Sequence, residues 1–548
     1  MQDAVGLHRQ GRLREAEKLY ARILKAAPDN FDALHLLGSL KAQAGQMGEA
    51  LRLISAALKI NPRASDALVN LANVMHALKR DADALDCLDK ALAIKPDDLQ
   101  ALQNRGAALL TLKRPQDALA CFEQVVAREP RNGEALLNRG VTKATLGLNA
   151  EALDDFDAAL KLAPGQPDVL YNRGNALLQL DRNAEAIADF DRVLAAIPSH
   201  TRAWNNRGRA LQALNRHDDA AKSFGQAIEL QKDYADAHFN QALALLTVGD
   251  LRRGFEQYEW RWKRSGMTDT RRGYGRPLWL GEFPLGHKTI LLHAEQGLGD
   301  TIQFARYALL LARAGATVVL EVQPELKALL SDLDGIASCH ARGETLPAFD
   351  VHCPLGSLPL ALKTEPASIP ADIPYLHADA QRIAKWQPAM EALPGKRVAF
   401  AWAGQVKHAN DRNRSIDLKV LEPLLALDGV SFVSIQRELR DNDAGLLAQH
   451  ANVVHLGGEL IDMADTAAVA ALVDLVIAVD TSVVHLAGSL GRPTWVMLPF
   501  TPDWRWTLTG EQSPWYPQMR LFRQPAIADW QNVVVNVRDA LARFAGKT

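Results

Sequence analysis

Along the first half of the chain, small and large apolar residues return at a fixed interval of 34 positions. Alanines stand at Ala16, Ala50, Ala84, Ala118, Ala152, Ala186 and Ala220. Four positions after each comes a large side chain, at Tyr20, Ile54, Leu88, Phe122, Phe156, Phe190 and Phe224. That offset puts both members of each pair on one face of a helix. Gly38, Gly106, Gly140, Gly174 and Gly208, with Ala4 and Ala72, keep the same frame and would let a second helix approach closely. Pro28, Pro62, Pro96, Pro130, Pro164 and Pro198 close each unit, because proline lacks the N–H that would continue a helix. The pattern predicts tandem antiparallel helix pairs over residues 1–266. The last unit begins near Ala235 and drifts into Gly254–Trp262, as an atypical end unit should.

After about Gly273 the interval disappears and short apolar runs take over. Thr289–His293, Ala316–Val322, Arg397–Trp402, Val430–Gln436, Leu475–Val479 and Thr494–Leu498 read as strands, with amphipathic stretches such as Asp300–Ala314 between them. Alternation of this kind predicts parallel sheets with helical crossovers. The pattern restarts after Pro394-Gly395, so two Rossmann-type domains are expected, at 267–392 and 393–548, with a cleft between them. Ligands in such sheets bind at the carboxyl ends of the strands.

The 34-residue spacing resembles the tetratricopeptide repeat family, an α solenoid that holds polypeptides. Asn70, Asn104, Asn138, Asn172, Asn206 and Asn240 form a further column in the same register. An amide offers donors and an acceptor, so such a ladder on a concave face can hold the backbone of an extended peptide, as it does in the O-linked N-acetylglucosamine transferases. The alternative is that these residues tie neighbouring repeats together. Arg105, Arg139, Arg173 and Arg207, one position on, are expected to serve as inter-repeat or solvated charges.

Composition narrows the classes. Lys plus Arg is 62 against 64 Asp plus Glu, for a net charge of -2, which gives no basic face for nucleic acid. The four cysteines (Cys87, Cys121, Cys339, Cys353) lack zinc or redox spacing, and the first two occupy equivalent repeat positions. The opening residues have no apolar core of a secretion signal, and no apolar run reaches membrane-spanning length. A cytoplasmic location follows as the expectation.

Three motifs stand at strand ends. Glu295-Gln-Gly-Leu-Gly-Asp-Thr-Ile-Gln303 follows the first strand, and Asp300 with Gln303 has the form of a capping box. Ala403-Gly-Gln-Val-Lys-His-Ala-Asn-Asp-Arg-Asn-Arg-Ser415 supplies Lys407, Arg412 and Arg414 for an anion. Asp480-Thr-Ser-Val-Val-His-Leu-Ala-Gly488 follows another strand; Thr481 or Ser482 would cap a helix whose N-terminus suits a diphosphate, with His485 on the same face as Thr481. Asp155-x-Asp157 and Asp189-x-Asp191 fall inside repeat helices and are not read as metal ligands; Asp332-x-Asp334 reads as a turn.

These motifs resemble the heptosyltransferase-type glycosyltransferases of the GT-B fold, over about 288–525. The resemblance implies Asp300 as general base, with Gln296, Gly297 and Gly299 in the acceptor-side loop. It implies Lys407, Asp480, Thr481, Ser482 and His485 around a nucleotide-sugar donor, while Arg412 and Arg414, in an Arg-rich stretch to Ser415 that departs from the family pattern, are donor-binding candidates by their own charge. No metal or resident cofactor is implied, the nucleotide sugar being a co-substrate. The stretch Asp503-Trp-Arg-Trp506 with Trp515-Tyr516 departs from the family pattern. The expectation is a glycosyltransferase acting on a macromolecule, such as a protein held by the repeats. The alternatives are an inactive interaction scaffold and a nucleotide-sugar epimerase.

Overall fold

A computed structural model describes residues 1–265, 273–407 and 410–546. The chain forms two compact units, Met1–Arg207 and Gly208–Thr548. The boundary read at 266/267 lies outside the described residues, and the last helix pairs belong to the second unit.

The first unit is helical, alternating helices of 13 and 14 residues such as Leu99–Thr111 and Pro115–Arg128, then Gly133–Thr145 and Asn149–Leu162. Asn30, Asp98 and Asn132 start first helices by accepting the N–H three residues on. Each proline stands two residues past a helix end, as Pro130 does after Arg128. The recurring glycine is a contact point. A Cβ at Gly106 would lie 2.5 Å from the Phe122 ring, at Gly140 2.6 Å from Phe156 and at Gly174 2.7 Å from Phe190. The large residue of each second helix thus presses its ring onto bare backbone of the first.

Charge follows the same period. Arg173 pairs with Asp157 behind it and Asp189 ahead, both at 2.6 Å. Arg139 and Lys143 pair with Asp155, and Arg207 with Asp191. The two D-x-D stretches are therefore arginine partners along the repeats.

The second unit opens with the end of helix Thr201–Ala213, then His217–Leu230, Ala235–Thr247 and Leu251–Tyr258, and a 3-10 turn over Glu259–Lys263. Two parallel sheets follow. The first contains β1 (Thr289–His293), β2 (Thr317–Val322), β3 (Ile336–Ala341) and β4 (Val351–Pro354), in the order β3-β2-β1-β4. The second contains β5 (Lys396–Ala401), β6 (Val430–Ser434), β7 (Val453–His455), β8 (Leu475–Val479), β9 (Thr494–Leu498) and β10 (Met519–Arg523), in the order β10-β9-β8-β5-β6-β7. Central strands such as β8 are buried along their whole length, as uninterrupted apolar runs should be when helices cover both faces. One core joins Leu246, Phe255 and Tyr258 of the terminal helices to the first sheet and to one face of the second. A separate core lies on the other face, under helix Trp530–Phe544.

The glycine contact sets a sign that helix propensity alone gets wrong. Gly→Ala in a helix interior normally gains about 1 kcal/mol. Gly140→Ala should instead lower stability by about 1–3 kcal/mol through overpacking against Phe156. Adding Phe156→Leu should return part of the loss. Urea unfolding of the single and double variants reads both, and a stabilised Gly140→Ala protein would rule the contact out as a determinant.

Candidate functional site

In the second unit, four strand ends deliver the sequence motifs. β1 leads into the Glu295–Gly299 loop and helix Leu298–Arg313. β5 leads into the loop reaching Ser415, β8 into Asp480 and helix Ser482–Ser489, and β9 into the 3-10 turn Trp504–Trp506.

Arg505, buried, binds these parts together. It donates to Asp503 at 2.8 Å, to Asp300 and to the side-chain oxygen of Gln303. Its guanidinium also lies 4.4 Å from the Trp504 ring centre. Asp300 is not the first cap of its helix, as the D-x-x-Q form had suggested. The helix starts at Leu298, and Asp300 reaches back to accept the Gly297 N–H at 3.0 Å. One Asp300 oxygen serves that turn and the other serves Arg505. Gln303 is fully buried and pairs with Arg505 instead of capping.

The Asp480 end is assembled through Arg414, which donates to the Asp480 carbonyl at 3.0 Å. Gly404 allows this, because a Cβ there would sit 2.6 Å from the Arg414 guanidinium. The loop is held by Ser415, which accepts the Gly404 N–H at 3.0 Å and donates to Asp411 at 2.6 Å. Burial, and then the neighbouring Asp503 carboxylate, push the Asp480 carboxyl up to about 7 against the pull of Arg505 and Arg414. Thr481 occupies the N-cap of helix Ser482–Ser489, yet its hydroxyl makes no cap bond and is buried without a partner. Arg414 Nε is also buried and unpartnered, while the Trp506 indole N–H faces the Asp480 carboxylate. Two donors around one helix N-terminus therefore lack acceptors.

His485 is buried, shares a 3.1 Å hydrogen bond with the Tyr516 hydroxyl and stacks on Trp506. Burial, then Arg505, Arg306 and Arg414, hold it well below the ordinary histidine range, so it stays neutral. A Cβ at Gly299 would lie 2.8 Å from the His485 ring, which places the acceptor-side loop directly on the Asp480 motif. Gly488 likewise admits Tyr516 and Met519.

Two features depart from the sequence reading. Lys407 and Arg412 are exposed and Arg414 alone of the three basic residues reaches the cluster; the neighbouring His408 lies outside the described residues. The space between the sheets is filled with rings: Phe304 meets Trp515 at 6.3 Å, and Trp504 meets Trp515 at 5.6 Å. Arg306 from the same helix donates to the Trp515 and Pro370 carbonyls. The expected cleft is a packed junction.

The Glu295–Gly299 loop is gripped from the terminal repeat helix. Tyr258 pairs with the Gln296 amide at 2.7 and 2.9 Å. Arg261, buried, donates to Glu295 at 3.2 Å, Ser357 at 2.7 Å and Glu259 at 2.6 Å. Sequence reasoning missed Arg505, Asp503, Arg261 and Glu295. The charged Asp503-x-Arg505 inside an aromatic run was the one available signal.

In the first unit, the asparagine ladder splits. Asn70 donates to Ser39, Asn104 to Asn73 and Asn206 to Asn175, each bond reaching 31 residues back. The equivalent positions for Asn138 and Asn172 are Ala107 and Val141, whose side chains have no acceptor. Asn172 donates only to the Asp168 carbonyl of its own helix. Asn240 belongs to the second unit and is engaged. The inter-repeat role therefore holds at three of the six positions.

Burial, opposed by Arg261 and aided by Asp300, pushes Glu295 up to about 7 from its ordinary 4.5. Below pH 4.5 the group is protonated in both folded and unfolded chains, so its contribution to stability is complete there. As pH rises through about 7 the buried carboxyl must ionise, and that contribution is lost. Asp480 acts in the same direction. Stability should fall between pH 4.5 and 7, and Glu295→Gln should flatten the fall by at most about 1.4 kcal/mol per pH unit. Urea unfolding from pH 4.5 to 8 measures it; a wild-type-to-variant difference that is constant with pH would refute the assignment.

Comparison with known proteins bears on the helical half. Tetratricopeptide repeat families match residues 63–128, 104–167, 171–224 and 205–259, and the family of anaphase-promoting complex, cyclosome, subunit 3 matches 9–91. Protein FlbA of Caulobacter vibrioides is 27% identical over 338 residues, 57% of this chain and 56% of FlbA, so the match spans about half of that relative. A tetratricopeptide repeat protein from Parabacteroides merdae is 21% identical, covering 44% of this chain and 96% of its own, with a TM-score of 0.36. The Pseudomonas aeruginosa protein PilF is 24% identical, covering 39% and 96%, with a TM-score of 0.35. Among the described residues no helix is long and apolar enough to cross a membrane. The N-terminal part of the chain, to about residue 260, is an array of tetratricopeptide repeats, and parallel α/β sheets follow it.

Proposed function

We propose that this chain is a glycosyltransferase of GT-B type, moving a sugar from a nucleoside-diphosphate donor to a polypeptide held by its repeats. The observation that carries the reading is the pair of unpartnered donors around helix Ser482–Ser489, Thr481 Oγ1 and Arg414 Nε. Buried donors without acceptors are costly. A diphosphate would supply acceptor oxygens to them and to the free N–H groups of the helix end. The site stands beyond the carboxyl end of β8, where ligands of parallel sheets bind. In the transfer, the acceptor oxygen forms a bond to the sugar carbon while the bond from that carbon to the diphosphate breaks. The bonding pair leaves with the diphosphate, beside Arg414, and a carboxylate takes the acceptor proton. Asn138 and Asn172 offer amides that no other repeat uses, which supports an extended peptide as acceptor.

One observation favours the second reading, a scaffold without turnover. Both oxygens of Asp300 are engaged and aromatic rings fill the space between the sheets.

Calorimetric titration of the full chain with a panel of nucleoside diphosphates separates the two. Binding is expected, and Arg414→Gln should weaken it by about 1.5–3 kcal/mol, the scale of a charged hydrogen bond. Lys407→Ala should cost less than about 1 kcal/mol, because an exposed charge is screened. If no diphosphate binds the wild-type chain, the donor site is lost and the scaffold stands.

A further inference from the structure

Arg505 is placed unlike a simple structural cation. Its bond to Asp503 is local, within one turn, and survives any movement of that turn as a whole. Its bond to Asp300 spans 205 residues and two sheets. Asp300 has the complementary property. Its Oδ2 is committed to the Gly297 N–H three residues away, which orients the carboxylate whatever Oδ1 does. Breaking the long-range pair alone would leave Asp300 oriented, with one free oxygen at the head of its helix.

Something at this point would repay that break. Gln303 and Trp506 flank Arg505 in space and in sequence respectively, and both are fully buried. Gln303 carries a donor with no partner, Nε2. With Arg414 Nε and Thr481 Oγ1, the junction holds more buried donors than acceptors. Arg505, Arg306 and Arg414 all act on His485, and Asp300, Asp480 and Asp503 all act on Arg505, so what the junction has in excess is hydrogen-bond donors. An acceptor-rich anion matches that excess.

Resting on the donor site described above, we propose that Arg505 is a latch that the donor diphosphate opens. Without donor it pairs with Asp300. With donor it keeps Asp503 and exchanges Asp300 for a phosphate oxygen. The exchange adds a cation to the leaving diphosphate and frees Asp300 Oδ1 to take the acceptor proton in the same event. Donor then binds before the base is available, which protects the site from idle proton transfer. The latch makes Arg505 a donor-binding residue that no motif named.

The test is diphosphate titration of the full chain carrying Asp300→Asn, Arg505→Gln, or both, with melting curves on each. Asn keeps an acceptor for the Gly297 N–H but removes the charge that competes for Arg505. Asp300→Asn should therefore tighten diphosphate binding by about 10- to 100-fold, the equivalent of one charged hydrogen bond no longer broken. Arg505→Gln should weaken it by about tenfold or more, and the double variant should match Arg505→Gln alone. Should Arg505→Gln fail to fold, the Asp300→Asn arm decides. Affinity unchanged or weakened by Asp300→Asn, while still falling on Arg414→Gln, overturns the latch and leaves the donor site in place. No binding by any of the proteins removes the donor site and the latch with it.

Discussion

A guanidinium taken out of water is stable only when its donors are matched, since the cost of desolvating the charge is several kcal/mol. Arg505 meets that demand with three partners from two places: Asp503 on its own turn, and Asp300 and Gln303 on the helix after β1. The requirement ties the two parallel sheets together at their functional ends. Several local choices follow from it. Gly299 is small because the loop must close onto His485, and Gly488 because Tyr516 and Met519 must reach the helix beneath. His485 stays neutral among three arginines, so it adds no further charge to the junction. The surrounding tryptophans exclude water and strengthen each remaining electrostatic contact.

The repeats solve a different problem with one residue type used in two ways. An asparagine on each first helix can satisfy its amide by reaching back to the preceding repeat, and does so where Ser39, Asn73 or Asn175 receives it. Where the preceding repeat offers Ala107 or Val141, no such bond forms, and Asn172 turns to the Asp168 carbonyl of its own helix. The glycine–phenylalanine contacts that hold each pair together are indifferent to this choice, because they lie between the two helices of a repeat.

The helical half was legible because its information is periodic. Glycine, large apolar residue and proline recur at fixed offsets, and each has a single steric consequence. The strands were legible too where they are buried on both faces: β1 and β8 agree with the apolar runs residue for residue. Short or half-exposed strands such as β3 and β7 gave no comparable run. The site was legible by location but not by pairing. Asp300, Arg414, Asp480 and His485 do converge, because strand ends bring their loops together. Arg505 was out of reach, since its meaning depends on a partner 205 residues away. The capping roles of Asp300 and Thr481 were misjudged for a related reason. A cap is a local geometry, but the Thr481 hydroxyl makes no cap bond at the N-cap position it occupies and Asp300 shares its carboxylate with a distant cation.

The terminal repeat helices are part of the α/β unit in a specific sense. The turn carrying Arg505 rests on them: Asn215 donates to the Phe500 carbonyl at 2.6 Å, Thr501 donates to the Ala213 carbonyl at 2.9 Å, and Phe255 meets Trp504 edge to face. The opposite loop is held by Tyr258 and Arg261 from the same helices. Both partners of the Arg505–Asp300 pair are therefore mounted on one helical support. A shift of that support acts on the two loops together, and the packed core between them leaves few ways to absorb it gradually. Contiguous packing of this kind transmits a signal only if some element in it has two discrete arrangements. The exchange proposed for Arg505, which would keep Asp503 and release the distant Asp300, would be such an element. The last repeat helices and the sheet ends are joined around that single buried cation.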